Sequence, residues 1–220
     1  MPNGNWMAVR GGGAFELDTV TPESIDYRVI AWALSGIVRY NGHAPVTWTV
    51  ADHVVGAALL AATHQLTLAH RFSEPMLAHT RLAAHHDDGE AYYGDQIRPW
   101  AAFLGPGFAA LQRRVDSAII RKLDLAPIEN DQTERFDLLM LEAERWTMFT
   151  DCPHWTASPM RDDPLFPAAL KLVQRMAAGA SKMPRELKFQ RLMALEALLT
   201  DRANARKSPF EIHLELVHMT

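Results

Sequence analysis

The sequence predicts an all-α, single-domain helical bundle, and three observations carry that prediction. Long stretches repeat apolar residues at spacings of three and four, with few β-branched alternations. Turn-forming residues are confined to a few places: Gly11–Gly13, Asn41-Gly42, Gly105-Pro106-Gly107, Cys152-Pro153 and Lys207-Ser208-Pro209. The 220 residues, 48% of them hydrophobic, suffice for one core that buries roughly 70% of the unfolded surface.

The elements follow in order. Residues 1–20 read as an N-terminal extension. Thr21-Pro22-Glu23-Ser24 offers an N-cap with proline just inside, opening a helix through Val38. The Ala- and Leu-rich stretch from Thr49 to about His70 is the second helix, and Glu74-Pro75 opens a third that runs to about Asp87. Further helices are expected near 107–123, 130–149, 164–178 and 184–205. Residues 209–219 alternate like a short strand and read equally well as a packed tail. The bundle therefore spans 21–206, its motif-bearing part lies at about 39–145, and 207–220 is a tail.

Charge and composition exclude several classes. A net charge of −4, with 22 basic against 26 acidic residues and no Lys/Arg-rich run, argues against a nucleic-acid polymer as partner. Cys152 is the single cysteine, so neither an intrachain disulfide nor a cysteine-based zinc site is available. The start, "MPNGNWMAVRGGGAF", lacks a basic region followed by an apolar run, and no apolar stretch reaches the roughly 18 residues of a membrane helix. A cytoplasmic protein without a membrane partner is expected.

The chemistry concentrates in "RLAAHHDDGEAYYGD", residues 81–95, where two histidines and four carboxylates crowd the end of an apolar helix. On a helix, His86 and Asp87 project about 100° apart. They converge when a divalent cation draws both in, bonding nitrogen and oxygen at about 2.0–2.2 Å. Two ligands are too few, so others must come from elsewhere. His53 in "VTWTVADHVVGAA" and Asp137 in "ERFDLLMLEAER" are candidates, each with an apolar run beside it. Taken singly, such residues usually read as solvated or as hydrogen-bonded core.

Taken together, "RYNGHAPVTWTVADHVVGAALL" and "AAHHDDGEAYYGDQIRP" resemble the HD-domain metal-dependent phosphohydrolases. More narrowly, they are similar to the deoxyribonucleotide 5′-nucleotidase branch and related bacterial and phage nucleotide hydrolases. An Arg-aromatic-Asn-Gly turn, an extended segment ending in Val-Ala-x-His, and a helix ending in His-Asp-x-x-Glu-Ala before Gly-Asp and proline occur in that order. The likeness covers about residues 15–150. It implies metal ligands at His53, His86, Asp87 and Asp137, with Asp116 in "RRVDSAII" a rival for the last place. It implies Glu90, one helical turn after His86, as the catalytic carboxylate. Arg39 would contact phosphate and Asp95 the deoxyribose, with Tyr40 and Trp48 as further substrate contacts. Tyr92, Tyr93 and Trp48 read either as base-stacking groups or as core. Against the family pattern, His85 replaces an aliphatic residue, Asp88 adds a solvent-facing charge, and Arg98 and Trp100 alter the cavity mouth or pack on the next helix. His43, His64, His70, His79 and His154 receive no role.

The implied activity is hydrolysis of deoxyribonucleoside monophosphates, a small-molecule substrate, by a bacterial or phage-related enzyme. The alternatives are a deoxynucleoside triphosphohydrolase and a nucleotide-binding module without turnover. The implied cofactor is one divalent transition metal (cobalt, manganese, zinc, nickel or iron), or magnesium with a triphosphate. A homodimer is expected from the apolar patterning of 164–205 and from the habit of the family.

Overall fold

A computed structural model describes residues 4–68, 74–125, 127, 131–150, 152, 154 and 158–200. The N-terminal residues depart from the expected extension. Trp6–Val9 (β1) and Gly13–Glu16 (β2) pair antiparallel, with Met7 opposite Phe15 and Val9 opposite Gly13. Gly11 and Gly12 turn the hairpin at φ of 91° and 83°, a conformation open to residues without a Cβ. Alternation along β2 sends Phe15 inward, where its ring stacks on Tyr92 at 4.0 Å between centroids.

The helix expected from Thr21 to Val38 arrives in pieces. A 3-10 turn at Pro22–Ser24 ends at once, and Asp26 starts the next element by accepting a hydrogen bond from Arg28 N at 2.8 Å. That element, α1 (Tyr27–Leu34), buries Ile30, Ala31 and Leu34. Val38 then bridges Thr49: Val50 N donates to Ile37 O at 3.0 Å, and Arg39 N donates to Trp48 O at 2.9 Å. The bridge closes a loop, and within it Trp48 is fully buried in the core.

Helix α2 (Val50–Leu68) is the centre of the fold. Every residue from Val50 to Ala62 is buried, as expected of a helix surrounded on all sides by others. Around it pack α3 (Glu74–His85), α6 (Thr133–Met148), α7 (Phe166–Ala180) and α8 (Arg185–Thr200). Two polar residues sit in that buried run, Asp52 and His53. Asp52 accepts from Thr49 N at 2.9 Å and Thr49 Oγ1 at 2.8 Å, and pairs with the buried Lys188 of α8. His53 points elsewhere, as adjacent helical residues must.

Helix α3 stops at His85, short of the expected Asp87. A tight turn follows and leads into α4 (Glu90–Tyr93). Helix α5 (Arg98–Lys122) starts well before the expected 107 and kinks at Gly105, with φ 73° and ψ −168°, ahead of Pro106. Helices α6, α7 and α8 lie within a few residues of their expected positions. His70, residues 201–205 and the strand-like stretch 209–219 lie outside the described residues. Among the described residues, no helix is long and apolar enough to cross a membrane. The architecture is all-α apart from the hairpin.

Candidate metal centre

Three elements bring His53, His86 and Asp137 into one cluster, with Asp87 set against its two histidines. His53 comes from the first turn of α2, Asp137 from the first turns of α6, and His86 and Asp87 from the turn after α3. His53 Nε2 lies 3.2 Å from His86 Nε2, 3.1 Å from Asp137 Oδ1 and 3.7 Å from Asp87 Oδ2. His86 Nε2 lies 3.3 Å from Asp87 Oδ2 and 3.7 Å from Asp137 Oδ1. Ligands bonded to one ion at about 2.0–2.2 Å stand roughly 3.0–3.5 Å apart when adjacent and about 4 Å when opposite. The His53, His86 and Asp137 atoms lie close enough together to hold one ion, and Asp87 Oδ2 meets both histidines from one side without joining that triad.

The far sides of both rings define which nitrogen is free. His86 Nδ1 donates to the Ala83 carbonyl at 2.8 Å, so in the neutral ring Nε2 presents its lone pair. His53 Nδ1 lies 2.6 Å from Glu144 Oε1, and the buried carboxylate draws the hydrogen to that side. With both rings neutral, two lone pairs would face each other beside the carboxylates, so the arrangement asks for positive charge in the middle, supplied by a proton or by an ion. Glu144 was marked in the sequence only as context for Asp137. It follows Asp137 by seven residues, two helical turns along the same face of α6, and that spacing was the signal.

Protonation follows from the same geometry. Burial and Arg39 push the His53 imidazole down, but Glu144 and Asp137 outweigh them and raise it to about 10. For His86, burial is overcome by Asp87 and Asp137, and its affinity for a proton also rises. Burial would raise Asp137, yet its hydrogen bonds to His53 and His86 hold it well below the usual carboxylate range. Burial would raise Glu144 too, and Arg39 and His53 hold it down at about 2. The cluster binds positive charge strongly.

Arg39 stands at the edge of the cluster. Its Nη1 is 3.4 Å from Asp87 Oδ2, and its Nε is 3.3 Å from Glu144 Oε2 without hydrogen-bond alignment. The next residue, Tyr40, adopts φ 57°, and its hydroxyl donates to Glu144 Oε2 at 2.6 Å. A left-handed non-glycine residue costs on the order of 1–3 kcal/mol, and the fold holds this one beside the site. Together Tyr40, Arg39 and His53 surround the Glu144 carboxylate.

A cavity of about 850 Å³ opens over the donor atoms. Arg39, Tyr40, Asp87, Glu90, Asp95 and Asp137 line it, so most of the expected site residues share one space. Glu90 reaches that space by a different route from the one expected. The helix does not persist past His85; Glu90 opens the short helix α4 after the turn. Its Oε2 is buried without a hydrogen-bond partner, and burial, then Asp87 and Asp95, push the carboxyl up to about 9. Asp95 follows Gly94, whose φ of 80° ends α4 and turns the chain toward the cavity. Burial raises Asp95 as well.

Other expectations resolve differently. Trp48 is fully buried in the core and is not part of the cavity wall. Asp116 is apart from the histidines and accepts from the Tyr93 hydroxyl at 3.1 Å, so Asp137 is the carboxylate that meets them. Tyr92 is buried against Phe15. Asp88 is not solvent-facing: it is 1% exposed, with Oδ2 2.8 Å from His85 Nδ1. His85 is buried with it, because a histidine between two acids is satisfied where an aliphatic residue would pack. Trp100 lines the cavity, as do His43 and His154, which were given no role; the Arg98 side chain lies outside the described residues.

No protein-family model matches the chain. It is 29% identical over 134 residues to the uncharacterized protein YfdR of Escherichia coli, covering 61% of this chain and 67% of that one. It is also 29% identical over 126 residues to an uncharacterized protein of Rhodobacter capsulatus. That match takes in 56% of this chain and spans only 60% of the relative's length.

Proposed function

We propose that the chain is a divalent-metal-dependent phosphohydrolase of the HD-domain type, acting on deoxyribonucleoside monophosphates. The observation that carries the reading is the cluster of His53 Nε2, His86 Nε2 and Asp137 Oδ1, with Asp87 Oδ2 at 3.7 Å and 3.3 Å from the two histidines, beneath a cavity that Glu90 and Arg39 also line. Two neutral imidazoles and two carboxylates suit a transition ion such as cobalt, manganese, nickel, zinc or ferrous iron. Such an ion, when bound, acidifies a coordinated water and offsets charge on phosphate oxygens.

The chain's own groups supply the rest. The Arg39 guanidinium, fixed between Glu144 and Asp87, turns a positive edge toward a phosphate at the donor atoms. Glu90, raised to about 9, holds a proton near neutrality and can pass it to the leaving nucleoside oxygen. That position counts against a module that binds without turnover. Asp95, at the cavity wall just after the Gly94 turn that ends α4, is placed to accept from a sugar hydroxyl.

Charge favours monophosphates over triphosphates. Among the described residues lining the cavity, Arg39 is the only Lys or Arg, against the carboxylates Asp87, Glu90, Asp95 and Asp137. A monophosphate brings about two negative charges and a triphosphate nearly four, so the longer chain meets more repulsion with no further Lys or Arg among the described lining residues to offset it. The test is one assay of purified protein with manganese or cobalt, scoring phosphate, pyrophosphate and tripolyphosphate release from mono- and triphosphates. Phosphate from deoxyribonucleoside monophosphates is expected. Tripolyphosphate release would replace the substrate assignment, and no release under any metal would remove the enzymatic reading.

A further inference from the structure

Helix α8 contributes a group to the far side of the turn that carries His86 and Asp87. Glu196 Oε2 lies 2.9 Å from His85 Nε2, and His85 Nδ1 lies 2.8 Å from Asp88 Oδ2. His85 and Asp88 are buried, Glu196 is nearly so, and the Tyr27 ring closes over His85 edge-on at 5.2 Å. The other Asp88 oxygen, Oδ1, is buried without a hydrogen-bond partner. A carboxylate so enclosed keeps its place only through His85, and His85 through Glu196.

The brace acts on the turn through the backbone. Asp88 directly follows Asp87, and the turn is held by Asp88 N to His85 O at 3.2 Å and Glu90 N to Asp87 O at 3.0 Å. Its start is fixed by His86 Nδ1 on Ala83 O. Its middle is held by these backbone bonds, by Ala91 N on Asp88 O at 3.2 Å, and by the Asp88 side chain, which reaches back to His85. Gly89 adds to the confinement, since a Cβ there would strike the Asp116 carboxylate and the Tyr93 hydroxyl. Without the brace, Asp88 would be a buried carboxylate lacking any partner. It would turn toward water and rotate the peptide that aims the Asp87 carboxylate.

We infer that Glu196 is a positioning residue for the metal-bearing turn, acting through His85 and Asp88 to aim Asp87 and His86. The inference rests on the metal reading above. It also gives α8, which lies outside the motif-bearing stretch, a part in the site. The brace is one step further from the donor atoms than Glu144, whose class of contact changes metal affinity by about 10–100-fold when removed. A loss of about tenfold is expected for Glu196, at the lower end of that range.

Cobalt titration of the purified full-length protein tests this, following visible absorption, with thermal melts of each metal-free protein run in parallel. Glu196→Ala should weaken cobalt binding about tenfold and alter the absorption band at temperatures far below its melting point. Glu196→Gln, which keeps an oxygen to accept from His85 Nε2, should restore both. Should Glu196→Ala fail to fold, Glu196→Met fills the space without an acceptor and is read in the same way. Unchanged cobalt affinity and spectrum in Glu196→Ala, with only a lower melting point, would reduce the brace to ordinary packing. If the unsubstituted protein takes up no cobalt, the metal reading falls and the brace role with it, before any variant is compared.

Discussion

Glu144→Gln removes one charge from the centre of the site and leaves its volume nearly unchanged. The carboxylate is fully buried and faces three groups: His53 Nδ1 at 2.6 Å, the Tyr40 hydroxyl at 2.6 Å and Arg39 Nε at 3.3 Å. Glutamine offers one oxygen and one NH2. If the NH2 faces His53, Nδ1 must accept, the ring hydrogen moves to Nε2, and the lone pair aimed at the metal is lost. If the NH2 faces Tyr40 and Arg39, the guanidinium loses its main counter-charge in the interior. Either way, metal affinity should fall by about 10–100-fold, equivalent to roughly 1.4–2.8 kcal/mol. Breaking a buried pair costs about 3–5 kcal/mol, and the retained hydrogen bonds favour the lower end. At about 3 kcal/mol the metal-free melting point should drop by about 6–12 °C for a chain of this size. The acid limb should change with the correct sign. Glu144 is held at about 2 against an ordinary 4.5, so its contribution is present above 4.5 and lost as the pH falls toward 2. The variant should lack that loss. Calorimetric metal titration and melts across pH 2–7 measure all three effects. A variant with wild-type affinity, melting point and acid limb would refute the role assigned to Glu144.

Two further outcomes are expected. Glu90→Gln should keep its metal and lose about 10²–10⁴ in turnover, because a proton-transfer group has been removed and no ligand has been lost. If metal content falls with the rate, Glu90 belongs to the coordination sphere instead. Metal uptake should release protons and strengthen as pH rises, by up to about tenfold per unit for each proton displaced. The sign follows from His53, which is held up at about 10 and so carries a proton through the neutral range that an ion must displace. Titration calorimetry in buffers of different protonation enthalpy reads the proton count, and a pH-independent affinity without release would contradict the assignment.

The helices were legible because their apolar spacing is long and regular; the site was legible because its residues sit in short motifs. What escaped the sequence had physical reasons. The β1–β2 hairpin is four residues per strand around a glycine turn, too short for alternation to be distinguished from an irregular extension. The break before α1 depended on Asp26 outcompeting Thr21 as a cap, a local contest that propensity does not resolve. His86-Asp87 was taken as a helix end drawn together by an ion, whereas the chain leaves the helix at His85 and a turn does the converging. Asp88 looked like a solvent-facing charge because the group that secures its partner His85, Glu196, is distant in sequence. Trp48 looked like a ligand contact because an aromatic beside a motif carries no sign of which way it faces.

The loop between Arg39 and Trp48 is pinned at both ends, and Ala44 and Val46 rest against the core between them. Arg39 N on Trp48 O and the Val38–Thr49 bridge hold its base. Thr47 is tied to Ser181 Oγ at 2.9 Å and to Lys188 Nζ at 3.0 Å. Asn41, within the left-handed turn, and His43, just beyond it, form part of the cavity rim. Because loop closure grows only slowly with length, a few residues inserted at His43, ahead of the core-packed Ala44 and Val46, would cost well under about 1 kcal/mol in closure entropy. The anchored base would stay in register while the rim changed shape. That separation makes His43 the natural place to reshape the cavity rim by insertion, without touching any donor atom.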